Sequence, residues 1–319
     1  MENLNVVVAL ITRDNDYQAE QAASATEAAA SLGAKIQIIY ADNDAVNQTQ
    51  QLAKIIQDPI QRPAAILVEP VGTGMPQIAK AAVAAGVGWG ILSRQEAYIC
   101  ELRRGNQGRE NQVPVFSVAT DQEELGRIQG KQLAALAAEG NILYIEGPSS
   151  NSVSGLRRKG LLHTKPAGVE MKTLKGDWTE RNAHYAVKSW LSLSTSRQLH
   201  IRAVLCQNDA MAMGARKAFV DLTEKDREQW LKTPFLGCDG VTKTGQEWVR
   251  CGYLTATVIT PPTAGLAMEI LVKASRMGTV PPEHTPSIAR AFPALEELAK
   301  RRSESAPAAA GRAWTGSTF

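Results

Sequence analysis

The first stretch of sequence that indicates the fold is Val6-Val7-Val8-Ala9-Leu10-Ile11, which is apolar at every position. A strand with one face in water alternates apolar and polar residues, whereas an unbroken apolar run is typical of a parallel strand buried on both faces. An Ala-rich stretch over 17–32 follows and ends at Gly33, a common residue at helix ends. The chain therefore begins with a predicted β-strand and a predicted α-helix.

This pattern of a short strand and a longer helix continues along most of the chain. The first series has predicted strands over 35–39, 64–68, 88–92 and 113–118, with helices over 45–57, 75–85 and 121–139. The second has predicted strands over 142–145, 169–174, 201–205, 235–238 and 254–258, with helices over 152–162, 180–193, 210–222, 245–250 and 263–277. Two such series predict an α/β protein with two doubly wound, mostly parallel sheets and a first boundary near Thr120.

Two segments depart from this alternation. Residues 94–112 are rich in Arg, Gly, Asn and Gln, and we interpret them as a loop-like insertion. The end of the chain is rich in Ser, Ala, Pro and Gly, which predicts a weakly structured tail over 303–319. A short amphipathic helix is predicted just before this tail, over 293–302.

The composition narrows the class of partner. Hydrophobic residues make up 44% of the 319 positions and charged residues 21%, as in ordinary globular proteins. The formal net charge of +3 is too small to indicate a nucleic-acid partner and fits a neutral or mildly polar small molecule. No apolar stretch approaches the length of about 18 residues that spans a bilayer, so direct membrane insertion is not expected.

The start of the sequence leaves the location open. Met1-Glu2-Asn3-Leu4-Asn5 leads directly into the first strand, with neither a basic segment nor a small-residue cleavage site. A cytoplasmic protein and an exported protein given without its leader both fit. The four cysteines form no CxxC pair, and unpaired thiols mildly favour a reducing compartment.

No catalytic or cofactor-binding motif follows the predicted strands. A Rossmann dinucleotide site needs GxGxxG after the first strand, but residues 12–17 contain no glycine. The sequence has neither a phosphate-binding P-loop nor a nucleophile elbow. The four histidines lie away from the predicted strand ends, and the cysteines lack metal-ligand spacing. We therefore expect a non-enzymatic protein with no cofactor and no metal.

The residues that follow the predicted strands are instead polar hydrogen-bonding groups and aromatic rings. They are Asn15, Tyr17, Ser93, Arg94, Gln95, Asp177, Trp178, Gln207, Asn208, Asp209, Asp239 and Thr260. Ligands of doubly wound folds bind outside the carboxyl ends of the strands, so these side chains are expected to meet in one cleft. Charged groups bond well to sugar hydroxyls, and flat rings cover the apolar faces of a sugar. The pattern predicts a carbohydrate ligand.

Five motifs lie between residues 119 and 258 of this pattern. Residues 207–215 are Gln-Asn-Asp-Ala-Met-Ala-Met-Gly-Ala, residues 237–240 are Gly-Cys-Asp-Gly, and residues 254–258 are Leu-Thr-Ala-Thr-Val. Ala119-Thr120-Asp121 and Ile145-Glu146-Gly147 complete the set. Together they resemble the type I periplasmic binding proteins for sugars, the ribose and galactose binders, and the related effector domain of LacI-type regulators. The resemblance covers residues 4 to 280.

The resemblance implies two lobes joined by three crossings, with the ligand enclosed between them. The first lobe would comprise 1–119 and about 261–288, and the second 120–260 and about 289–302. Thr120, Asp121 and Thr260 would form the hinge. The expected ligand-binding residues are Asn15, Tyr17, Ser93, Arg94, Trp178, Asn208, Asp239 and Thr260.

Three positions depart from the family pattern. Ser93 stands where an Asp commonly precedes Arg94, and Thr260 stands where a Gln is usual. Gly155 replaces an arginine of the second lobe's first helix, although Arg157 lies close by in the sequence. These changes alter the hydroxyls that the site would bind, so the family pattern does not predict which sugar is bound.

Two roles fit the resemblance. One is the substrate-binding component of an ABC-type sugar importer, with a membrane permease as partner and a periplasmic or cell-envelope location. The other is a cytoplasmic sugar sensor or regulatory subunit that signals through a partner protein. A LacI-type repressor is disfavoured, because the first strand begins near residue 6 and leaves no room for a helix-turn-helix.

Overall fold

The computed structural model describes residues 4–108, 112–149, 152–194, 196 and 199–305. The strands are β1 (Asn5–Leu10), β2 (Lys35–Tyr40), β3 (Ala65–Val68), β4 (Gly88–Ser93), β5 (Val115–Thr120), β6 (Glu139–Glu146), β7 (Gly168–Lys175), β8 (Ile201–Cys206), β9 (Phe235–Leu236), β10 (Thr257–Ile259), β11 (His284–Ser287) and β12 (Arg290–Phe292). The helices are α1 (Asp16–Leu32), α2 (Ala45–Gln57), α3 (Met75–Ala84), α4 (Tyr98–Asn106), α5 (Gln122–Leu136), α6 (Ser152–Thr164), α7 (Glu180–Leu191), α8 (Asp209–Val220), α9 (Glu224–Leu231), α10 (Gly245–Arg250), α11 (Thr263–Met277) and α12 (Leu295–Ser305).

The first lobe is built on a six-stranded parallel sheet with the order β11-β5-β4-β3-β1-β2. Alternate residues of β1 pack into different cores. Val6 and Val8 belong to the core that α1 and α11 cover, and Val7 and Ala9 belong to the core that α2 and α3 cover. Burial on both faces explains why β1 is apolar throughout, and the predicted buried strand is confirmed.

The second lobe is built on a four-stranded parallel sheet with the order β7-β6-β8-β9. Strands β10 and β12 pair antiparallel, and the bridges Leu236↔Ala256 and Asp239↔Ile259 join β10 to the β9 segment. Helices α5 and α6 pack against each other in this lobe, and α12 packs on α5. The predicted fold class of two mostly parallel α/β lobes is confirmed.

The chain passes between the lobes at three connections, from β5 to α5, from β10 to α11, and from β11 to β12. The first places Thr120 at the end of β5 and Asp121 at the N-cap of α5. The second contains Thr260. The predicted lobe boundaries and hinge residues stay predictions.

Several local predictions were wrong. Residues 94–112 contain helix α4, whose Ile99 and Leu102 are buried in the first lobe, so the segment is not simply a loop. Helix α9 and the edge strands β11 and β12 were not predicted. Strand β10 begins at Thr257 rather than 254, and β9 is two residues long.

The C-terminal segment is only partly described. Residues 303–305 belong to the end of α12, whereas 306–319 lie outside the described residues, so most of the predicted tail is not addressed. Within the described part of the chain, no helix has the length and apolar character needed to cross a bilayer.

Candidate functional site

Residues from both lobes line a cavity of about 60 Å³, which we call the interlobe cavity. Its wall consists of Ile11, Thr12, Asn15, Tyr17, Gln18, Glu69, Gln122, Val153, Arg157, Trp178, Asn208 and Asp239. Most of these residues follow β-strands, because parallel strands end at the same edge of their sheet. Five of the eight predicted ligand-binding residues are in this wall.

Two asparagines in the cavity wall donate hydrogen bonds to the same backbone carbonyl oxygen. Asn15 caps α1, where its Oδ1 accepts hydrogen bonds from the backbone N–H groups of Tyr17 and Gln18. Asn208 caps α8 in the same manner. The Nδ2 groups of both asparagines donate to the carbonyl oxygen of Trp178, at 3.2 Å from Asn15 and 2.9 Å from Asn208. The Asn15 bond joins the two lobes directly.

Trp178 has a left-handed backbone conformation, with φ at 73°. A side chain on Gly147 would overlap the indole ring, so the glycine makes room for it. The guanidinium of Arg157 lies over the same ring, 5.5 Å from its centroid. This geometry leaves the indole as the largest aromatic surface that the second lobe contributes to the cavity wall.

Arg157 is buried and held from several directions. Its Nε donates to Oε1 of Gln122 at 2.9 Å, and its Nη1 donates to the carbonyl oxygen of Gln207. Nη1 also lies 3.8 Å from Oδ1 of Asp239, which makes a loose ion pair. Gln122 in turn donates to the carbonyl oxygen of Ser93, so it links Arg157 of the second lobe to the first lobe.

Asp239 is buried, with φ at 104°. Among the described residues no group donates a hydrogen bond to its carboxylate, whose only partner is the loosely paired Arg157. Burial raises the pKa of Asp239 well above its ordinary value, and Arg157 partly opposes the rise. A buried carboxylate without hydrogen bonds is costly, so the cavity side of Asp239 is suited to groups that donate hydrogen bonds.

Asp209 lies behind this wall and is fully bonded. Its Oδ2 accepts from the backbone N–H of Gly240 at 2.7 Å, and its Oδ1 accepts from the hydroxyl of Thr257 at 2.7 Å. Burial raises the pKa of Asp209 to about 7. Since its oxygens bond within the second lobe, Asp209 holds the turn that carries Asp239.

The first lobe contributes a second buried carboxylate, Glu69. Its Oε2 accepts hydrogen bonds from the side-chain amides of Gln18 at 3.0 Å and Gln21 at 3.2 Å. Burial raises the pKa of Glu69, and hydrogen bonds from neutral groups only partly offset the effect. Tyr17 is buried beside Glu69. Burial raises the pKa of the Tyr17 phenol, and the negative charge of Glu69 raises it further.

Ser93, Arg94 and Thr260 lie outside the cavity wall. Ser93 Oγ accepts from Gln21 at 2.9 Å, and the Thr260 backbone N–H donates to the Asp239 carbonyl oxygen. Arg94 donates to the carbonyl oxygen of Gly72 at 2.7 Å and pairs with Glu96 at 2.6 Å. A separate, larger groove of about 500 Å³ includes Arg94, Thr120, Asp121 and His284. The predicted roles of the three residues in ligand binding stay predictions.

Comparison with known proteins identifies the family. The chain matches the model of the periplasmic binding protein domain over residues 6–278. The chain belongs to this family. It is 29% identical over 260 residues to the xylitol-binding protein of Mycolicibacterium smegmatis, a match that covers 78% of this chain and 67% of that protein. It is 28% identical over 153 residues to the D-allose-binding periplasmic protein of Escherichia coli, a match that covers 46% of each.

Solved structures of periplasmic binding proteins share the two-lobed fold. The solute-binding protein of Actinobacillus succinogenes with bound D-allose has a TM-score of 0.76 at 19% identity, over 93% of this chain and 99% of that chain. The Caulobacter myo-inositol binding protein has a TM-score of 0.74 at 21% identity, over 95% and 98%. The predicted resemblance to type I periplasmic sugar-binding proteins is confirmed, and these relatives are binding proteins rather than enzymes.

Sequence reasoning missed seven of the twelve residues in the wall of this periplasmic binding protein, among them Gln18, Glu69, Gln122 and Arg157. Glu69 directly follows β3, so the rule that found the other strand-end residues would have found it. Gln122 is the first residue of α5, next to the predicted hinge, and Gln18 lies in the first turn of α1. Arg157 lies inside α6, where only the packing of the helix determines which way its side chain faces.

The site shows no metal centre. Within the described ranges, no group of three or more His, Cys, Asp or Glu side chains is arranged to hold a metal ion. The groups present in the wall are hydrogen-bond acceptors, amides, one guanidinium and two aromatic rings. Such a set binds and orients a polar compound.

Proposed function

We propose that this chain binds a small polyhydroxylated compound, a monosaccharide or a polyol, in the interlobe cavity and releases it unchanged. The single observation that carries the proposal is the Asp239 carboxylate, which is buried in the wall and accepts no hydrogen bond from the described residues. Each of its oxygens is an acceptor for a ligand hydroxyl. The names of the xylitol- and D-allose-binding relatives support this ligand class.

The wall offers groups for each part of such a ligand. Asp239 accepts from hydroxyls, and the guanidinium of Arg157, held by Gln122 and Gln207, orients that carboxylate. The indole of Trp178 covers the apolar C–H face. The larger groove beside Arg94 has neither a buried carboxylate nor a Trp, Tyr or Phe ring in its wall, so we assign the ligand to the smaller cavity.

The binding cycle is lobe closure. Residues of both lobes line the cavity, so the ligand enters when the lobes are apart. The bond from Asn15 to the Trp178 carbonyl oxygen forms only when the lobes meet. Ligand contacts with both lobes shift the population toward this closed form. Thr120, Asp121 and Thr260 lie at two of the connections and are our proposed hinge.

We further propose that the closed form delivers its ligand to the permease of an ABC-type importer, on the outer side of the cytoplasmic membrane. The family to which the chain belongs supports this role. Deletion of the gene in its native host should abolish uptake of the radiolabelled ligand. Unchanged uptake would contradict the transport role and leave ligand binding intact.

A thermal-shift screen tests the binding function. Pentoses, hexoses, pentitols, hexitols and inositols are each added in excess over the purified chain. A ligand at about a hundredfold excess over its Kd stabilises the folded state by about 2.7 kcal/mol, which is measurable as a rise in Tm. Asp239→Ala should remove the rise, whereas Asp44→Asn, which keeps the exposed cap of α2, is the matched control and should retain it. No rise with any compound would contradict the proposed function.

A further inference from the structure

The interlobe cavity holds an excess of buried acid. Glu69 and Asp239 are both in its wall, and each is less than one-tenth exposed. The two carboxylates line the same cavity, and the charge of Glu69 contributes to the raised pKa of Asp239. Among the described residues that form the wall, Arg157 is the one cationic side chain.

The nearby arginines do not neutralise both acids. Arg157 is 3.8 Å from Asp239 and is already bonded to Gln122 and Gln207. Arg94 lies outside the wall and pairs with Glu96 at 2.6 Å, so its positive charge mainly offsets the negative charge of Glu96.

The side chains that form hydrogen bonds to the Glu69 carboxylate are neutral. The amides of Gln18 and Gln21 bond to its Oε2, and Ser93 also stabilises the charge, with the charge of Arg94 as a weaker contribution. Amides stabilise a carboxylate by hydrogen bonding, but they supply no compensating charge. The first-lobe side of the cavity therefore carries an acid without a cationic partner in the wall.

Two further acidic side chains, which lie outside the wall, add negative charge around Asp239. Asp209 and Asp16 both raise the pKa of Asp239. Asp209 bonds to Thr257 and Gly240, and Asp16 lies at the start of α1. The acids around the cavity thus come from both lobes.

We propose that the natural ligand carries an ammonium group, as an amino sugar or an aminoalditol does, and that this group binds between Glu69 and Asp239. The inference rests on the proposed function and narrows its ligand class. The hydroxyls of such a ligand bond to the remaining acceptors, and its cation supplies the positive charge that the wall lacks. Neutral sugars satisfy the hydrogen bonds but leave the excess charge buried.

Ligand binding should then depend on pH. In the empty protein, burial raises the pKa of Glu69 above its ordinary value, so a proton competes for this carboxylate at higher pH than it does for an exposed glutamate. A cationic ligand favours the ionised carboxylate and displaces that proton. Its affinity should rise as pH increases through the raised pKa of Glu69, while the ligand amine is still protonated. The affinity of a neutral ligand, which only donates hydrogen bonds to the carboxylates, should rise less.

The test uses matched pairs of compounds that differ in one amine. They are D-glucosamine with D-glucose, D-galactosamine with D-galactose, D-mannosamine with D-mannose, and 1-amino-1-deoxy-D-sorbitol with D-sorbitol. Thermal shift selects the pairs that bind, and isothermal titration calorimetry gives the Kd of each member. We expect the amine to bind about tenfold more tightly than its neutral counterpart, as a single charge-assisted bond allows.

Glu69→Gln tests the assigned carboxylate. The substitution keeps an oxygen for the amides of Gln18 and Gln21 while it removes the charge. It should weaken the amine about tenfold and the neutral member less than about threefold. Asp44→Asn is the matched control, because it removes one acid from the exposed N-cap of α2, where Asn caps equally well. The control should change neither Kd.

The outcomes separate the inference from the proposed function. Tighter binding of an amine, with selective loss in Glu69→Gln, supports the inference. If the neutral member of every binding pair is bound as tightly as the amine, the inference is overturned and sugar binding stands. If neither these pairs nor the neutral compounds of the wider screen bind, both are overturned. Should Glu69→Gln fail to fold, the pH dependence of the wild-type Kd decides in its place.

Discussion

The turns after β8 and β9 each carry a buried aspartate, and the two carboxylates have opposite surroundings. Asp209 accepts hydrogen bonds from Gly240 and Thr257, whereas Asp239 accepts none from the described residues. Both pKa values are raised, first of all by burial. Burial therefore does not distinguish a structural acid from a ligand-binding acid. What distinguishes them is whether the protein supplies the hydrogen-bond donors.

The backbone around Asp209 fits its carboxylate closely. A side chain on Gly237 would overlap Oδ1 of Asp209, and a side chain on Gly245 would overlap Oδ2. Asp239 is held by its backbone instead, which bonds to Val258 and Thr260. One turn is packed around its acid, and the other presents its acid to the cavity.

Removal of the open carboxylate should have the largest effect on binding. Asp239→Ala should weaken the ligand identified by thermal shift about a hundredfold, since two hydrogen bonds to a charged acceptor are lost. The Tm of the empty protein should change little, because the carboxylate that is removed accepts no hydrogen bond and the loosely paired Arg157 keeps its bonds to Gln122 and Gln207. Calorimetry and thermal melts measure the two effects. Tight binding by Asp239→Ala would contradict the comparison.

Removal of the bonded carboxylate should instead reduce stability. Asp209→Ala leaves the Gly240 N–H and the Thr257 hydroxyl without their acceptor, at a cost of about 2–4 kcal/mol in the free energy of unfolding. Urea denaturation measures this loss. Below its Tm the variant should bind the ligand within about tenfold of wild type. A stable variant that binds nothing would reverse the roles of the two aspartates.

The stability of the empty protein should fall as pH rises. The folded-state pKa of Asp209 is about 7 against an ordinary 3.8, so the folded protein keeps a proton that the unfolded chain has lost. This contribution is complete below about pH 4 and is lost as pH rises to about 7. We expect a decrease of about 2 kcal/mol between about pH 5 and pH 7, and a smaller decrease in Asp209→Asn. Parallel curves for the two proteins would contradict the assignment.

The bond between the lobes should have the smallest effect. Asn15→Ser retains an oxygen to cap α1 but removes the amide that donates to the Trp178 carbonyl oxygen. Binding should weaken about threefold to tenfold through loss of closure. Asp44→Ser changes the cap of α2 in a comparable way and should leave the Kd unchanged. Equal changes in Kd for Asn15→Ser and Asp44→Ser would contradict the role of the Asn15 bond in lobe closure.

Much of the fold was predictable because its central strands are buried on both faces. β1 and β8 are nearly continuous apolar runs, and each was predicted close to its observed bounds. The edges were not predictable in this way. β11 contains Pro286 and three polar residues, and it is a strand because β5 offers a free edge. Helix α4 was missed because its short apolar face is embedded in polar residues.

The site was predictable as far as it depends on topology. Asn15 and Asp239 follow strands, and the convergence of strand ends brings both to one cavity. Arg157 depends on how α6 packs against α5. A side chain on Gly126 would overlap the Arg157 carbonyl oxygen, and one on Gly160 would overlap the Glu123 carbonyl oxygen. This close approach of two helices is a tertiary property that no local pattern predicts.

A crystal structure of the chain with the tightest compound from the thermal-shift screen tests the central claim most directly. The account predicts electron density for the compound between the lobes, with its polar groups within about 3 Å of the Asp239 carboxylate and its carbon skeleton against the indole of Trp178. Density in the groove beside Arg94 and His284, with Asp239 still without a donor, would contradict it.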